Sequence, residues 1–231
     1  MTRLVLLRTL ALIACSTAIT GCSFLPSGSS DRASNNSSQQ VSSVPRDYSP
    51  RPADNACFAD LSAAGNRFSP LPDRYPAQGC SQLGTVQLSA LAGDRSQFGI
   101  SNIGPVQCQT AQSFSEWARF GVDRAARQIL GSPLERIETM GSYSCRNVAG
   151  SSRRSAHARA EAIDVSAFIL KDGTRVSVQG DWSNGTTAER EFLRVVHGSA
   201  CKRFGTVLGP NYNRAHEDHF HLEKKEGSFC R

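Results

Sequence analysis

Hydrophobic residues divide the chain into three parts of different character. An apolar run follows Arg3 and Arg8 and ends in small residues, a pattern typical of a secretory signal, here residues 1–21. The run is too short to span a bilayer comfortably. Residues 22–54 are rich in Ser, Asn, Gln and Pro and offer little to bury, so we predict a disordered tether there. Residues 55–231 remain for one folded domain with its own core.

The apolar periodicity of a helix recurs in two segments of the predicted domain. The first segment covers residues 113–130 and is ended by Gly131. The second covers residues 186–204, and its start carries the capping-box pair Thr186 and Glu189. Two helices are therefore expected.

Alternation of apolar and polar residues predicts strands, most clearly over residues 162–170. A KDGT turn signal follows this strand, and RVSV continues as the return strand. The alternation separates two faces of the strand: Ile163, Val165, Ala167 and Ile169 on one, and Ala162, Asp164, Ser166 and Phe168 on the other. A strand that runs into a turn is predicted at residues 136–145, short strands at 206–210 and 219–225, and short strands and loops over residues 56–108. Together these elements indicate an α+β fold, a small mainly antiparallel sheet flanked by helices.

Six cysteines lie in the predicted domain, behind the export signal. An even number of cysteines in an exported chain predicts disulfides that staple the fold. A zinc–cysteine site is the rival use of such residues, but the chain contains no CxxC pair. Six cysteines allow fifteen pairings, and sequence alone does not choose between them. We take neighbours along the chain as a working hypothesis: Cys57 with Cys80, Cys108 with Cys145, and Cys201 with Cys230.

The formal net charge of +6 favours an anionic surface, such as the bacterial cell wall or outer envelope. A solvated basic face without a partner would carry the same charge. The sequence contains no nucleic-acid motif, and export argues against that class of partner. We expect a monomer.

Three of the five histidines fall within six residues: His216, His219 and His221. On a strand, alternation places His219, His221 and Glu223 on one face and turns the apolar residues between them towards a core. Side chains two residues apart on a strand lie about 6.5–7 Å from each other, so two imidazoles can serve one reaction centre. His221 can bind a metal ion while His219 acts on a water molecule. A polar stripe on a solvated strand is the alternative reading of this pattern.

A second polar island, SAHARAEAID, contains His157 and Asp164. On one strand these side chains would face opposite sides, and on one helix they would lie about 11 Å apart along the axis. A loop that carries His157 and folds back beside the Asp164 strand brings both to one ion. Asp164 lies between apolar Ile163 and Val165, where a lone carboxylate is costly unless it is paired or bound to a cation. Two histidines and one carboxylate leave the fourth position of a tetrahedral Zn²⁺ open, as in hydrolytic zinc sites.

SAHARAEAID resembles the SxHxxGxAxD motif of the D-Ala-D-Ala metallopeptidases and their relatives, the lysostaphin-type and LAS-group murein endopeptidases. The match comprises Ser155, His157, Ala162 and Asp164, and it departs at Ala160, where the motif has glycine. HEDHFH resembles the second half of the same site, with the HxxHxH spacing of the murein endopeptidases.

The wider chain is more similar to the bacterial extensin-like C-terminal domain family, over residues 56–231. Besides the two histidine motifs, the similar segments are ACFADLSAAGNRF, GSYSCR, DGTRVSV and ACKRFGTVLGPNYN. Together the two resemblances imply a LAS metallopeptidase-like fold. The family name comes from plant cell-wall proteins and implies no function for this chain.

The metallopeptidase resemblance implies roles for individual residues. His157, Asp164 and His221 would bind Zn²⁺, and His219 would be the general base or acid. In many relatives a glutamate is the base, but the neighbouring acids do not match that arrangement cleanly: Glu217, Asp218 and Glu223.

Four further residues are expected to have roles other than binding the metal ion or acting as the general base. His216 would orient the substrate or stabilise charge beside the metal. Arg146 resembles the arginine that precedes the first motif in these peptidases and would clamp a substrate carboxylate or an oxyanion; a surface arginine beside a disulfide is the alternative. Ser155 would hydrogen-bond behind the metal ligands. His197, within the second predicted helix, is expected to be structural.

These observations support two functional hypotheses of different classes. The first is a zinc-dependent peptidase that hydrolyses amide bonds of peptidoglycan peptides, as a murein DD-endopeptidase or a carboxypeptidase. The second is a non-catalytic wall-binding or scaffold protein with a structural or vestigial metal site. A fourth protein ligand, from His219 or Glu223, would favour the second hypothesis. A metal-dependent esterase is a third idea.

The end of the signal, ITGC, resembles a lipobox, where a diacylglycerol is joined to a cysteine before cleavage. Acylation of Cys22 would anchor the protein to a membrane without spanning it. Ser23 follows the cysteine, and by resemblance to common sorting patterns this indicates a periplasm-facing protein of the outer membrane. An ordinary signal peptide with a chance cysteine is the alternative.

Replacement of Cys22 by Ala is expected to release the protein from membranes, because it removes the only atom that the lipid could modify at this motif. Membrane fractionation and metabolic labelling with a fatty acid measure both effects. Labelling that persists in Cys22→Ala would exclude the lipobox.

Overall fold

The structure is a computed structural model, and it describes residues 50–224 and 227–231. The predicted signal, Cys22 and most of the predicted tether lie outside the described residues. Within the described ranges, no helix is both long enough and apolar enough to cross a membrane.

A helix that the sequence pattern did not indicate opens the described domain. Helix α1 covers Pro52–Ala63 and begins three residues before the predicted start of the domain. Its proline lies in the first turn, where the missing N–H costs no hydrogen bond. Phe58 and Leu61 are buried, but the apolar residues of α1 do not form one helical stripe. The expectation of only short strands and loops over residues 56–108 is therefore wrong at its start.

The remainder of that region forms six short strands, as predicted. They are β1 Arg67–Pro70, β2 Arg74–Ala77, β3 Cys80–Gln82, β4 Thr85–Ala92, β5 Gln97–Ser101 and β6 Pro105–Gln107.

The first predicted helix exists and begins five residues before position 113. Helix α2 covers Cys108–Glu116 and continues as two π-helical segments, Trp117–Asp123 and Ala126–Leu130. Gly131 ends the helix at φ 74°, in the left-handed region that glycine adopts without steric cost.

The second half of the domain follows the predicted order, with one additional short helix, α3. The capping box of Thr186 and Glu189 is present at the start of α4. The elements are β7 Leu134–Gly141, β8 Ala162–Leu170, β9 Arg175–Ser177, α3 Val178–Asn184, α4 Thr187–Ala200, β10 Thr206–Leu208, β11 Phe220–Glu223 and β12 Phe229–Cys230.

Ten of the strands in the described residues form one sheet, and β2 and β3 form a separate pair. The order along the main sheet is β1-β4-β5-β7-β8-β11-β10-β12, with β6 paired to β4 and β9 paired to β8. All pairs are antiparallel except β5 with β7 and β10 with β12. The predicted α+β class with a mainly antiparallel sheet is confirmed, although the sheet is larger than the small one expected.

Aromatic side chains join the helices to the middle of the sheet. Phe168 of β8 packs against Trp117 and Phe192, with ring centroids 6.1 and 5.2 Å away. Trp117 donates its indole N–H to the carbonyl oxygen of Val196 in α4 at 2.9 Å, so its polar atom is satisfied inside the core. The helices therefore cover one face of β8.

A β-bulge at Ser166 corrects the predicted face assignment of β8. The register against β7 passes from Glu138–Ala167 to Thr139–Val165, which leaves Ser166 as an extra residue. The alternation reverses phase at this point, so Asp164 and Phe168 lie on opposite faces. The prediction that they share a face is wrong, because alternation assumes an unbroken pleat.

Three disulfides close the described domain and use all six predicted cysteines. The pairing of Cys201 with Cys230 is confirmed. The other two predicted pairings are wrong: the bonds join Cys57 with Cys108 and Cys80 with Cys145. Helix α1 packs against the start of α2, and β3 lies beside the segment that follows β7. Tertiary packing, rather than separation along the chain, decides which cysteines meet.

Peptide mapping without reduction should therefore join Cys57 to Cys108 and Cys80 to Cys145. Replacing Cys80 and Cys145 together by Ser is expected to lower the free energy of unfolding by about 2–5 kcal/mol, because the bond constrains the unfolded chain. Urea denaturation measures this loss. A mapped peptide that links Cys57 to Cys80 would contradict the structure.

Candidate metal centre

Strand pairing places His221 directly opposite Asp164, because β11 runs antiparallel to β8 in that register. Phe220 and Leu222, the neighbours of His221, are fully buried on the other face. His219 precedes the strand on the same face as His221. The predicted alternation of the HFHLE segment is thus confirmed.

His157 reaches the same place from a short 3-10 helix, Ala156–Arg159. Ser155 begins this helix, and its hydroxyl accepts a hydrogen bond from the backbone N–H of His157 at 3.4 Å. Ala160 then turns the chain into β8 with φ 57°. The predicted loop that folds back beside the Asp164 strand is present, in the form of this helical turn.

Ala160, which stands where the peptidase motif that this segment resembles has glycine, adopts a left-handed backbone conformation. Its φ of 57° and ψ of 28° lie in the left-handed region, which costs a residue with a Cβ about 1–2 kcal/mol. Alanine, the smallest such residue, adopts it here while fully buried. The departure from the motif therefore leaves the turn intact.

Three donor atoms from these elements form a compact triangle. His157 Nε2 lies 3.1 Å from Asp164 Oδ2, and His221 Nδ1 lies 2.9 Å from Asp164 Oδ1. The two ring nitrogens are 3.1 Å apart. All three side chains are buried. We call this set the donor triangle.

The donor triangle fits a tetrahedral zinc ion. Ligands about 2.0–2.1 Å from such an ion lie about 3.3 Å from each other, close to the observed edges. His157 donates its Nδ1–H to the carbonyl oxygen of Ser142 at 2.7 Å, which leaves the lone pair of Nε2 aimed at the Asp164 carboxylate. Two lone-pair atoms at this separation need a proton or a cation between them. The residues present therefore suit Zn²⁺, although other divalent ions accept the same donors.

Both histidines of the triangle carry a supporting partner on the ring nitrogen that faces away from it. Ser142 supports His157 through its backbone carbonyl, and Glu223 lies 3.7 Å from His221 Nε2. Such partners fix the tautomer and orientation of metal-binding histidines. Glu223 is thus placed behind a ligand rather than at the open side of the triangle.

The electrostatics of the triangle favour a cation. Burial raises the pKa of Asp164, but the contacts of its carboxylate with the His157 and His221 rings outweigh burial and hold that pKa well below its usual range. Burial lowers the pKa of His221, but the neighbouring carboxylates of Asp164 and Glu223 outweigh burial and raise it to about 9. A metal ion must therefore displace a proton from His221, and metal affinity increases as the pH rises.

His219 lies beside the donor triangle without belonging to it. The donor atoms that lie within 4.8 Å of one another come from the three triangle residues. The Nε2 atom of His219 is 3.5 Å from Asp164 Oδ1, and its Nδ1 atom is 2.7 Å from Asp218 Oδ1. Asp218 fixes Nδ1 as the donor, so Nε2 carries the lone pair that faces the centre.

His216 completes the cluster at its outer side. Its ring centroid lies 5.1 Å from that of His219 and 5.9 Å from that of His221. Burial, together with the charges of His219 and His221, lowers the pKa of His216 to about 4. Its Nδ1 atom contacts Asn213 Oδ1 at 2.7 Å, which makes Nδ1 the donor. His216 is therefore neutral at pH 7, with Nε2 available as an acceptor.

A cleft of about 690 Å³ adjoins the triangle at His221, and His216 and His219 line it as well. Arg146 lines the same cleft and is exposed, so the structure places it in the neighbourhood predicted for it. His197 lies elsewhere, with its ring against Trp182 and Phe220, in agreement with a structural role.

Sequence reasoning missed three supporting groups of the centre. Asp218 and Asn213 hold the two outer histidines, and the backbone carbonyl of Ser142 holds His157. Asp218 was detectable as the acid next to His219. The Ser142 carbonyl was not, because a backbone partner leaves no signal in side-chain identity.

The family model described as extensin-like protein C-terminus matches residues 55–231, and the chain belongs to this family. No curated protein and no solved structure matched the chain significantly.

Replacement of His157, Asp164 or His221 by Ala is expected to lower zinc content sharply, because each removes one corner of the triangle. His219→Ala is the matched control: it removes an imidazole two residues from His221 and leaves the triangle complete, so zinc should remain. Elemental analysis of the purified variants measures both outcomes. Loss of zinc from His219→Ala would make His219 a fourth ligand.

Proposed function

We propose that this member of the extensin-like family is a zinc-dependent peptidase that hydrolyses amide bonds of peptidoglycan peptides. The observation that carries the proposal is the donor triangle, which reaches an open cleft through His221 and has an additional oriented histidine beside it. A site with three protein ligands and an accessible side is the arrangement of catalytic zinc, whereas structural zinc sites are closed by four.

The relation to the D-Ala-D-Ala and LAS-group metallopeptidases is part of the same proposal. It is supported by the two histidine motifs, whose residues converge on one centre. The left-handed Ala160 supports it further, because this turn accounts for the glycine of the related motif. A LAS-like arrangement of the site, within this larger sheet, follows from the proposal.

Zinc held by His157, Asp164 and His221 would supply a Lewis acid that polarises the scissile carbonyl and acidifies water. His219 takes up a proton at Nε2 and returns it to the leaving amine, because Asp218 occupies Nδ1. Neutral His216 accepts or relays a proton at the rim of the cleft.

Arg146 has a distinct role in the proposed mechanism. It presents an exposed guanidinium to the cleft and has no side-chain hydrogen bond or ion pair among the described residues. A guanidinium can hold a carboxylate or a developing oxyanion through paired N–H donors. Arg146 therefore positions the peptide relative to the triangle.

The proposed cellular setting follows from the N-terminal motif. Acylation at Cys22 would tether the domain to the outer membrane, facing the periplasm, where the wall peptides lie. A monomer on such a tether can search the wall close to its anchor.

A wall-binding protein with a structural zinc site is the second candidate. The distance of 3.5 Å between His219 Nε2 and Asp164 Oδ1 favours it, because a small rotation would bring this nitrogen towards the triangle. A fourth protein ligand would close the centre and leave the cleft for binding alone.

Incubation of the zinc-loaded mature chain with purified muropeptides is the test of peptidase activity. Mass spectrometry should detect products that have gained one water and lost one amide bond. His219→Ala should retain zinc while turnover falls by about 10²–10⁴, the usual contribution of a positioned acid or base.

Two outcomes would contradict the peptidase. One is an intact set of muropeptides after incubation with the zinc-loaded wild type. The other is loss of zinc from His219→Ala, which identifies a four-ligand structural site. Both results together would establish the wall-binding alternative over the enzyme.

A further inference from the structure

A hairpin segment near the donor triangle forms one wall of the cleft. We call residues 146–154 the arginine arm; Arg146, Arg153 and Arg154 all line the cleft. The arm is a narrow hairpin: the N–H of Val148 donates to the carbonyl of Arg153 at 2.9 Å, and the N–H of Ser155 donates to the carbonyl of Arg146 at 3.1 Å. Such pairing fixes the backbone positions from which the arginine side chains extend.

Both ends of the arm are fastened to the rest of the fold. The disulfide of Cys145 with Cys80 attaches its start to β3. The backbone N–H of Ser144 donates to the carbonyl oxygen of His157 at 3.1 Å, which couples the base of the arm to the helix that carries a proposed metal ligand. The arm and the donor triangle therefore keep one relative position.

The arginines of this wall fall into two groups. Arg154 is used by the fold: its guanidinium donates to Asn147 Oδ1 at 3.1 Å and to the carbonyl oxygen of Gln78 at 2.7 Å. Arg159 is neutralised by Glu161, at 2.7 Å. Arg153 is exposed and, among the described residues, its side chain makes no hydrogen bond or ion pair.

The two glutamates that line the cleft do not neutralise the charges of Arg146 and Arg153. Glu161 is bound to Arg159, and Glu223 lies against His221. Arg146 and Arg153 are left as guanidinium groups facing the cleft, and Lys224 adds a third cation at its edge. Cleft walls of one charge concentrate ligands of the opposite charge.

We propose that Arg153 is a specificity residue that binds a carboxylate of the substrate, so that the preferred substrates are acidic wall peptides with free carboxylates. This inference rests on the proposed function, because it concerns the peptide that occupies the same cleft. Arg153 differs from Arg146 in its place on the arm and binds a second, separate carboxylate. The planar guanidinium matches a carboxylate with two parallel N–H donors, and the hairpin holds it ready.

The test compares two forms of one synthetic stem peptide of the wall. Both keep the free C-terminal carboxylate that Arg146 would hold, and they differ in the remaining carboxylates, which are free in one form and converted to carboxamides in the other. Binding to the zinc-loaded mature chain is measured by calorimetry at low salt, in the His219→Ala background, so that the peptide is not consumed. The acid form is expected to bind about tenfold tighter than the amide form, as one exposed charge-assisted contact provides.

Arg153→Gln should reduce this preference to about twofold, and Arg153→Lys should keep an intermediate preference. Arg159→Gln is the matched control, because it removes the same charge from the same cleft at a guanidinium already held by Glu161. It should leave the preference near tenfold. Circular dichroism and thermal unfolding establish that each variant is folded.

Three results would overturn the inference: equal affinity of the two peptides for the parent chain, no binding of either, or an equal loss of preference in Arg153→Gln and Arg159→Gln. An equal loss in the two variants would indicate that the summed positive charge of the cleft, rather than a contact with Arg153, attracts the acid form. Cleavage is followed separately with wild-type protein and both peptides. Preferential binding of the acid form without cleavage would support the Arg153 contact and contradict the peptidase. Cleavage of both peptides without preference would support the peptidase and contradict the Arg153 contact.

Discussion

The pairing of β8 with β11 is the contact on which the centre depends, because it sets a buried carboxylate opposite a buried imidazole. Asp164 and His221 face each other in the register of these strands, and neither has bulk water to solvate a charge. A buried ion is tolerated only when partners replace its hydration. His157, brought back by the turn at Ala160, supplies the third group. Strand pairing therefore sets the geometry of the centre without the help of a metal ion.

The bulge at Ser166 lets one strand serve two purposes. Before the bulge, Asp164 faces the cleft; after it, Phe168 packs between Trp117 and Phe192 in the core. An unbroken pleat would place these two side chains on one face, and either the carboxylate would enter the core or the phenyl ring would enter the cleft. One additional residue resolves this conflict locally.

The sequence predicted what depends on residue type at short range. The face shared by His219 and His221, the capping box of α4 and the convergence of His157 with Asp164 all follow from spacing and polarity. The bulge, helix α1 and two of the three disulfides did not follow, because each is decided by packing between distant segments. The sequence also did not show that Arg154 has two side-chain hydrogen-bond partners whereas Arg153 has none among the described residues. The two are consecutive arginines, and only their tertiary contacts differ.

The disulfide between Cys80 and Cys145, which fastens the arginine arm, links the state of the cleft to the compartment that contains the protein. This bond persists in an oxidising compartment and is reduced in the cytosol. If the chain is exported, as its N-terminal motif predicts, the wall of the cleft lacks its covalent anchor before export, and the turn that presents His157 lacks a braced neighbour. If the chain is the proposed hydrolase, its cleft gains this brace only after the protein leaves the compartment in which it is synthesised. Maturation then coincides with arrival beside the polymer it would degrade.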